Sequence, residues 1–366
     1  MMLRVAIIGG YGNFGGYVAR ALAPDPGIAL VICGRDLRKA ITFADGLNAA
    51  NPAIGRAVDI GGDPAAMLGD IGPDLVINMV GPYHTQGYAV AEAAIAAGAD
   101  YCDIADAREF VCGIGALDEA AKTAGVTVLA GASSVPALTA AFLDEAAKAM
   151  QVRHVHYGIS GAEQANRGAG TVAAVTSYVG QRFTRLKDGA MRPVTGWSGL
   201  HAVRYPELGR RWFAHGNVPD LGLFPDRYPT LRSHAFYAGH EINVLHFGTW
   251  ISGKLVRIGL LPRLDRYAGL LVRFAALFNW LGKGRSGFHM VIEGEGTDGT
   301  PMTRRHWIIA RQGHGPIIPC IPVILIARMM AEGRVFAPGA RPCLDIITLD
   351  AYRAEFAGLD ITAIDE

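Results

Sequence analysis

The sequence predicts an α/β fold, in which a doubly wound parallel sheet is followed by an inserted α+β domain built on a largely antiparallel sheet. Short apolar runs alternate with amphipathic segments over residues 1–150, which is typical of a parallel sheet covered by helices on both faces. Beyond residue 150, apolar and polar residues alternate with period two, as in strands with one solvated face. The chain has 366 residues, 51% of them hydrophobic, which suffices for two domains of ordinary size.

The first strand and helix enclose a glycine-rich turn. An apolar run at 5–8 leads into Gly10, Gly12 and Gly15, and an amphipathic segment follows from Tyr17. In a G-x-G-x-x-G turn the three glycines allow a tight bend, a close approach to a pyrophosphate, and packing of the helix on the strand. The helix N-terminus then offers N–H groups to phosphates, although a turn without a ligand is the alternative. The residues predicted at this Rossmann-type dinucleotide site are Gly10, Tyr11, Gly12, Asn13, Phe14 and Gly15.

The end of the second strand, 28–33, indicates which nicotinamide coenzyme is bound. NAD-preferring sites place a carboxylate here for the ribose 2′-hydroxyl, but this chain has Gly34 followed by Arg35. A guanidinium can pair bidentately with a 2′-phosphate. The sequence therefore predicts NADP, with NAD as the alternative if Asp36 reaches the ribose. We expect Asp36 instead to cap the helix that follows it.

The third and fourth strands each end on candidate cofactor contacts. Asp59 closes a short strand, 57–60, and is predicted either to meet the adenine amino group or to cap the next helix. Asn78, Gly81 and Pro82 stand where the near-continuously apolar strand 74–80 ends, and a nicotinamide ribose would pass there. A stiff structural turn is the alternative for Gly81 and Pro82.

Candidate acid–base residues follow the fourth and fifth strands. Tyr83 and His84 belong to the first turn, and Asp103 closes strand 101–104, with Asp106 and Glu109 nearby. Carboxylates and a histidine beside a hydride-transfer centre could move protons. The alternatives are a surface position for His84 and helix capping for the acids. The predicted catalytic residues are Asp103, Tyr83 and His84.

Substrate contacts are predicted at four positions. Ser133 and Ser134 open the helix after strand 126–130, where they either cap it or help its N–H groups to bind a carboxylate. Arg167 and Arg182 are candidates in the inserted domain, with an ordinary surface role as the alternative.

The chain beyond residue 150 is predicted to contain strands and a hairpin. Strands are expected at 153–159, 241–247 and 307–310, and Asp298–Gly299 is a turn signal for the hairpin. Residues 205–235, with four prolines, are expected to be irregular. Helices at 322–331 and 350–356 could return to the first domain. The predicted boundaries are 1–150 for the cofactor domain, 151–314 for a substrate and dimerisation domain, and 315–366 for the C-terminal return.

Residues 267–281 form the most apolar helical segment of the chain. The segment is too short to span a membrane and contains Arg273, so we expect a buried helix. A helix that faces lipid or a partner is the alternative.

Composition excludes several classes of function. The 34 basic and 33 acidic residues give a net charge of +1, which does not attract nucleic acid or an anionic membrane. The five cysteines form no C-x-x-C pair, and the first strand begins at Leu3 without a preceding leader, so we expect a reduced, cytoplasmic protein. His240, Glu241 and His246 do not have the spacing of a zinc-binding helix, and we expect no metal.

These residues together resemble the saccharopine dehydrogenase-like family of NAD(P)-dependent oxidoreductases. The matching segments are 8–15, 34–35, 76–83, 97–103 and 133–138. The resemblance implies a cofactor domain, an inserted sheet domain that supplies substrate contacts, and a C-terminal return to which 315–345 is similar.

The resemblance implies an NADP-dependent oxidoreductase. Hydride would pass to or from a C=N or C=O carbon of a small amino-acid-like substrate. Saccharopine enzymes bind their substrate with several arginines, and no such set is matched in 151–314. Two alternatives therefore stay open. One is an enoyl- or carbonyl-reductase for a lipid-like substrate, with peripheral lipid contact through 267–281; the other is a non-catalytic NADP(H)-binding regulator. We also expect a homo-oligomer, in the simplest case a homodimer.

Overall fold

The computed structural model describes residues 2–162 and 168–366. The chain divides into two compact units: the first comprises Met1–Leu138 and Ile317–Tyr352, and the second comprises Thr139–Pro316 and Arg353–Glu366. The predicted boundary at 314 differs from these divisions by a few residues, and the predicted boundary at 150 differs by the length of a helix. The last residues of the chain differ more, because they lie in the second unit rather than with the C-terminal return.

The first unit is built on a seven-stranded sheet whose paired strands are all parallel. Its order is β15-β6-β5-β4-β1-β2-β3. The doubly wound parallel sheet predicted from the sequence is therefore confirmed, although the third strand lies three residues earlier than expected. The strands are β1 (Leu3–Ile8), β2 (Ile28–Gly34), β3 (Ile54–Ala57), β4 (Leu75–Asn78), β5 (Asp100–Asp103), β6 (Thr127–Ala130) and β15 (Gly339–Pro342).

Helices connect these strands, as crossovers between parallel strands require. They are α1 (Asn13–Leu22), α2 (Leu37–Asp45), α3 (Pro64–Ile71), α4 (Ala89–Ala96), α5 (Arg108–Gly113), α6 (Asp118–Ala124) and α12 (Ile321–Ala331). The last of these returns from far along the chain to pack beside α1. There the Arg328 guanidinium binds the Asp25 carboxylate at 3.0 Å and donates to the Ala21 carbonyl at 3.1 Å.

The second unit is built on a mixed seven-stranded sheet of order β10-β11-β12-β7-β13-β14-β16. Only β12 and β7 pair in parallel among its neighbours, so the largely antiparallel sheet is confirmed. The strands are β7 (Met150–Gly161), β10 (His201–Tyr205), β11 (Gly209–His215), β12 (Ser233–His240), β13 (Ser286–Gly296), β14 (Pro301–Ala310) and β16 (Ile361–Asp365), with a separate hairpin of β8 (Arg182–Lys187) and β9 (Ala190–Thr195).

This second sheet is strongly curled. Tyr205 lies on the edge strand β10, yet its hydroxyl is 2.7 Å from His289 Nδ1 on β13. Its ring centroid is 5.0 Å from that of Trp307 on β14. Strands that are distant in the sheet order therefore touch, and one face of the sheet becomes concave.

The helices of the second unit are α7 (Thr139–Ala147), α8 (Ala169–Ser177), α9 (Asp220–Arg227), α10 (Asn243–Arg257) and α11 (Ala268–Ala276), and α13 (Leu349–Ala354) spans the junction of the units. Three predictions were wrong here. Residues 205–235 were expected to be irregular but contain β11, α9 and the start of β12. Residues 241–247 were expected to be a strand but include the start of α10. The segment 267–281 was expected to be buried, yet most of its large apolar side chains are exposed. Among the described residues, no helix has the length and apolar character needed to cross a membrane.

Candidate functional site

The glycine turn after β1 leaves no room for side chains. Gly9 adopts φ +77°, the left-handed region that favours glycine. A Cβ on Gly10 would lie 2.9 Å from the Ile7 carbonyl oxygen, and one on Gly15 would lie 2.8 Å from Gly10 Cα. Because real Cβ atoms are not found this close to backbone, the turn can exist only with glycine at these positions.

The turn delivers the chain directly into the N-terminus of α1. Its N-cap is Gly12, which has no side chain to accept hydrogen bonds from the first-turn amides of Asn13, Phe14 and Gly15. Helix N-termini carry partial positive charge and outward-pointing N–H groups. A pyrophosphate is the ligand that such a glycine-lined helix start fits best, so these residues suit a dinucleotide.

Tyr11 lies across the end of β2. A Cβ on Gly34 would be 2.7 Å from the Tyr11 hydroxyl oxygen, so glycine is needed at 34 to admit this ring. The Asp36 amide donates to the same oxygen at 3.1 Å. Asp36 caps α2 as predicted, since its Oδ1 accepts from the Lys39 amide at 3.2 Å.

Arg35 follows Gly34 and projects from the sheet edge. Its side chain is exposed and makes no hydrogen bond or ion pair within the part of the chain that the structure describes. A second exposed guanidinium, Arg56, lies on β3 opposite Cys33. The end of β2 is thus positively charged and has no carboxylate in the ribose position, which suits a 2′-phosphate.

Asp59 is not a helix cap. Its Oδ1 accepts from the Gly61 amide at 3.1 Å, whereas the cap of α3 is Asp63, which accepts from the Ala66 amide at 3.1 Å. Of the two predicted roles, contact with the adenine stays a prediction.

Asn78 organises the end of β4. Its Oδ1 accepts from the Val80 amide at 3.1 Å, and its Nδ2 donates to the Tyr101 hydroxyl at 3.3 Å. The Tyr83 hydroxyl donates to the Asn78 carbonyl oxygen at 2.8 Å. Gly81, between them, is exposed, and Pro82 is partly exposed. The turn is therefore held from both sides and presents its middle to solvent.

Tyr83 and His84, both predicted to be catalytic, lie in different surroundings. Tyr83 is buried, and burial followed by the charge of Asp103 raises its pKa well above the ordinary value. His84 is half-buried and close enough to lower the pKa of Asp106, which burial raises. His84 and Asp106 thus form an electrostatic pair beside the turn, whereas the Tyr83 phenol stays protonated and positions the backbone.

Asp103 is fully enclosed at the end of β5. Its Oδ1 accepts from the amides of Ala105 and Gly131 at 2.9 and 2.8 Å, and its Oδ2 accepts from the Tyr101 hydroxyl at 2.9 Å. Burial raises the pKa of Asp103 to about 6, and these hydrogen bonds oppose the rise. The carboxyl group joins the loops after β5 and β6 and continues the hydrogen-bonded chain from Asn78 through Tyr101.

The predicted substrate residues are not brought together in one cluster. Ser133 and Ser134 are buried in the first unit, and Ser134 hydrogen-bonds the Tyr352 hydroxyl. Arg182 is exposed at the start of β8 in the second unit. Arg167 lies outside the described residues.

A second buried carboxyl group, Asp220, was missed by the sequence analysis. It stands in the first turn of α9, and its Oδ2 accepts from Thr139 Oγ1 at 2.6 Å and from the Tyr157 hydroxyl. Burial raises the pKa of Asp220 to about 6. The available signal was Pro219–Asp220 followed by apolar Leu221 and Phe224 at helical spacing, which we did not recognise among the surrounding prolines.

Within residues 2–162 and 168–366, no group of three or more His, Cys, Asp or Glu side chains is arranged to hold a metal ion. The five cysteines are free thiols, four of them buried. Cys33 and Cys102 fill buried strand positions, and burial raises the pKa of the Cys33 thiol to about 12.

Comparison with known proteins finds a family match for the first part of the chain. Residues 5–129 match the saccharopine dehydrogenase NADP-binding domain. No curated protein sequence matches the chain. Saccharopine dehydrogenase (L-Glu forming) from Saccharomyces cerevisiae shares its fold, with a TM-score of 0.66 and 14% identity over 100% of both chains.

Two further solved structures are less similar. Amine dehydrogenase from Mycobacterium smegmatis gives a TM-score of 0.46 at 15% identity over 95% of each chain. Biliverdin reductase from Synechocystis sp. PCC 6803, with biliverdin and NADP+, gives 0.42 at 13% identity over 96% of this chain and 94% of the other.

The match covers the glycine turn, Arg35, the turn after Asn78 and Asp103, on which the sequence resemblance depended, but not the segment 133–138. It names NADP, which agrees with the positive charge at the end of β2. NAD is the alternative coenzyme. Residues 5–129 therefore form a saccharopine dehydrogenase-type NADP-binding domain, which supports an NAD(P)-dependent oxidoreductase.

Proposed function

We propose that this enzyme transfers hydride between NADP and a C=N or C=O carbon of a small amino-acid-like substrate. The observation that carries the proposal is the uncapped N-terminus of α1 next to the unpaired Arg35, within a domain that matches NADP binding. When bound, the nicotinamide supplies the hydride chemistry, and the chain supplies position and electrostatics.

Each part of the first unit has a role in holding the dinucleotide. The first-turn amides of α1 would receive the pyrophosphate, because the N-cap Gly12 has no side chain to accept their hydrogen bonds. Arg35 would pair with the 2′-phosphate. The exposed middle of the turn at Gly81 and Pro82 would lie along the nicotinamide ribose, fixed there by Asn78.

We assign proton transfer to His84. Of the three predicted catalytic residues it is the one whose side chain reaches solvent, and its imidazole lies close enough to Asp106 to lower the pKa of that carboxyl group. The hydrogen-bonding groups of Tyr83 and Asp103 bind the turn and the neighbouring loops, so we assign these two residues positioning roles.

The cofactor part of the proposal is tested by calorimetry with NADPH and NADH. We expect Arg35→Gln to weaken NADPH binding about tenfold or more and to leave NADH binding nearly unchanged, because one charge-assisted contact is lost. Arg38→Gln, which removes a nearby exposed charge on α2, is the control. If Arg35→Gln affects both coenzymes equally, Arg35 does not contact the 2′-phosphate.

The reaction is tested by NADPH oxidation with pairs of 2-oxo acids and amino acids, and with simple ketones. Reduction of the substrate requires a proton donor, so His84→Gln is expected to lower kcat much more than KM and to remove the alkaline limb of the pH profile. A pH profile unchanged in the variant would contradict the proton-transfer role of His84. Absence of turnover with every substrate, together with tight NADPH binding, would favour the non-catalytic regulator.

A second candidate function is reduction of a lipid-like carbonyl or enoyl substrate at a membrane. It is favoured by an exposed apolar surface in the second unit. Ten of the sixteen exposed large apolar side chains among the described residues lie between residues 244 and 281. This apolar surface consists of Val244, Ile251, Ile258, Leu260, Tyr267, Leu270, Phe274, Leu277, Trp280 and Leu281.

The apolar surface has helical order. Tyr267, Leu270, Phe274 and Leu277 recur at intervals of three and four residues, so they share one face of α11 and its flanks. Leu270 is 65% exposed, Leu277 is 68% exposed, and the neighbouring Trp280 is 78% exposed. A face of this kind normally packs on a protein core, and here it meets solvent.

The charge of the same segment supports one kind of partner. Residues 243–285 hold seven of the 34 basic residues and one of the 33 acidic residues, so the segment carries +6 and the rest of the chain −5. The balanced total concealed this separation. A second copy would bring +6 against +6, whereas an anionic bilayer attracts basic residues and accepts apolar side chains. We therefore propose peripheral binding to an anionic membrane.

Sedimentation with vesicles of phosphatidylcholine, with and without phosphatidylglycerol, tests this surface. We expect salt-sensitive binding to the anionic vesicles, weakened tenfold or more in Leu270→Ser/Phe274→Ser/Leu277→Ser, since each apolar side chain gains roughly 1.5–3 kcal/mol on burial. Leu37→Ser, at an exposed leucine of α2, is the control.

Sedimentation velocity distinguishes the remaining outcomes. If the wild-type protein binds neither kind of vesicle and forms a dimer that the triple variant does not form, the surface joins two copies. Dimerisation that persists in the triple variant would support the proposed homodimer through another surface. Long-chain ketones and enones presented in the vesicles then test the lipid-like substrate directly.

A further inference from the structure

The concave face of the second sheet encloses a cavity of about 610 Å³. Side chains that alternate along β7, β12, β13 and β14 point into it, and β10 curls over one side. Its polar lining includes His156, Arg185, His201, Tyr237, His289 and Arg305. The cavity lies entirely in the second unit and uses none of the predicted cofactor, catalytic or substrate residues.

His289 presents an unused donor to this cavity. It is only 1% exposed, and its Nδ1 lies 2.7 Å from the Tyr205 hydroxyl. Tyr205 is itself buried, which raises its pKa well above the ordinary value, so the phenol keeps its proton and donates it to Nδ1. Burial lowers the pKa of His289 to about 3. The neutral ring therefore carries its hydrogen on Nε2, which has no partner among the described residues.

Trp307 supplies a second unused donor. It is paired with His289 across β13 and β14, so both side chains lie on the same face of the sheet. The indole is buried, and its Nε1 likewise has no hydrogen-bond partner within the described ranges. A buried N–H without an acceptor destabilises the folded protein, and two that face one cavity point to a ligand that accepts hydrogen bonds.

The charges of the lining favour an anionic acceptor. The lining contains two guanidinium groups, those of Arg185 and Arg305, and one carboxylate, that of Glu293. His156, between these groups, stays neutral because burial lowers its pKa, an effect that Arg305 strengthens and Glu293 opposes. The side chain of Arg305 makes no ion pair with any described residue, so its charge is available to a ligand.

We propose that this cavity is a binding site for a small anion that presents a carboxylate or phosphate group. His289 Nε2 and Trp307 Nε1 donate hydrogen bonds to the anion, and Arg305 pairs with its charge. The site does not depend on the nicotinamide coenzyme, because every contributing residue belongs to the second unit.

Calorimetry on the full chain without coenzyme tests the site, with glutarate and inorganic phosphate as probes and glutaramide as the uncharged control. We expect one of the two anions to bind and glutaramide not to bind. Arg305→Gln is expected to weaken binding tenfold or more, and Trp307→Phe about fivefold, in line with the loss of a charged and a neutral hydrogen bond.

Arg304→Gln is the matched control. Arg304 precedes Arg305 on β14 and pairs with the buried Ile292, so it lies on the opposite face of the strand. It carries the same charge but does not line the cavity. Equal losses in Arg304→Gln and Arg305→Gln would show general attraction by surface charge and overturn the site, as would failure of both anions to bind the wild-type protein.

The histidine resonances give a second readout. In protein labelled with ¹⁵N-histidine, His289 is expected to be protonated on Nε2 and not on Nδ1, and its Nε2–H signal should move when the anion is added. Protonation on Nδ1, or a signal that does not respond to a bound anion, would overturn the assignment of His289 as a donor.

Discussion

The two units each contain a fully buried carboxyl group, and the two groups are held in different ways. Burial raises the pKa of Asp103 and of Asp220 to about 6, and a tyrosine hydroxyl donates to each. Asp103 also accepts two backbone amides. Asp220 accepts from two side-chain hydroxyls and from its own backbone amide, and among the described residues no other residue donates to its Oδ1.

The difference shows that similar burial and similar pKa values do not imply similar roles. Without the Asp103 carboxyl group, two backbone amides would lie in an apolar interior without an acceptor. Asp103 therefore links the two loops to which these amides belong. The Oδ1 of Asp220 receives no hydrogen bond from another described residue, which raises the free energy of the ionised form relative to the protonated form. The first arrangement stabilises a backbone, whereas the second maintains a carboxyl group whose proton is easily gained or lost.

The largest difference between the two sites is expected in the free energy of unfolding when each carboxyl group is removed. Asp103→Ala leaves three buried donors without an acceptor, and we expect it to lower the free energy of unfolding by about 4 kcal/mol. Asp220→Ala leaves two hydroxyls that can rotate toward other acceptors, and we expect a loss of about 2 kcal/mol. Urea unfolding at neutral pH measures both, and a larger loss in Asp220→Ala would contradict the comparison.

The isosteric change to asparagine should act in opposite directions at the two sites. Asp103→Asn places an NH₂ against the Tyr101 hydroxyl, which already accepts from Asn78, so the phenolic hydrogen loses its acceptor. Asp220→Asn keeps one oxygen for Thr139 and Tyr157 and removes the cost of a buried charge. At about pH 8 we expect Asp103→Asn to be about 1 kcal/mol less stable than wild type and Asp220→Asn about 1 kcal/mol more stable.

The pH dependence supplies the control for that experiment. The pKa of Asp220 is higher in the folded chain, about 6, than the ordinary 3.8, so the folded state holds the proton more tightly. Its contribution to stability is therefore complete below about pH 4 and is lost as pH rises through about 6. Asp220→Asn should flatten this fall, and an unchanged slope would show that Asp220 does not cause it.

The smallest expected effect concerns the tyrosines. Tyr157→Phe removes one of two donors to Asp220, whereas Tyr101→Phe removes one of three to Asp103. Both tyrosine hydrogen bonds lower the carboxyl pKa, so both variants should raise it, by roughly 0.5–1 unit for Asp220 and by less for Asp103. Carboxyl ¹³C titration by NMR measures the shifts, and a larger shift at Asp103 would break the comparison.

The sequence was sufficient for the first unit because its constraints are local. Glycines at 10, 12 and 15 are required by contacts within a few residues of themselves, and Asp103 was found because it ends a short buried strand. Asp220 was missed because its partners, Thr139 and Tyr157, lie far away in the chain. No pattern near Asp220 reports a contact of that sequence separation.

The errors in the second unit have a related cause. Ile242, Val244 and Phe247 resemble strand alternation, but the apolar positions continue through Ile251 and α10 forms instead. The burial of 267–281 was expected from its composition, and composition does not say which surface an apolar face meets. The anion cavity could not be predicted from the sequence either, because it depends on the curl of the sheet that brings Tyr205 to His289.

The route of the chain between the units constrains how the protein is made. Strand β15 and helix α12, which complete the first unit, come after almost the whole second unit, and β16, which completes the second, comes last. Neither unit can finish assembling on the ribosome until the segments that complete it, 317–352 for the first and 353–366 for the second, have emerged. Nascent chains stopped near residue 150 would therefore display an unpaired β6 edge, and binding by chaperones should persist until residues 339–342 have emerged.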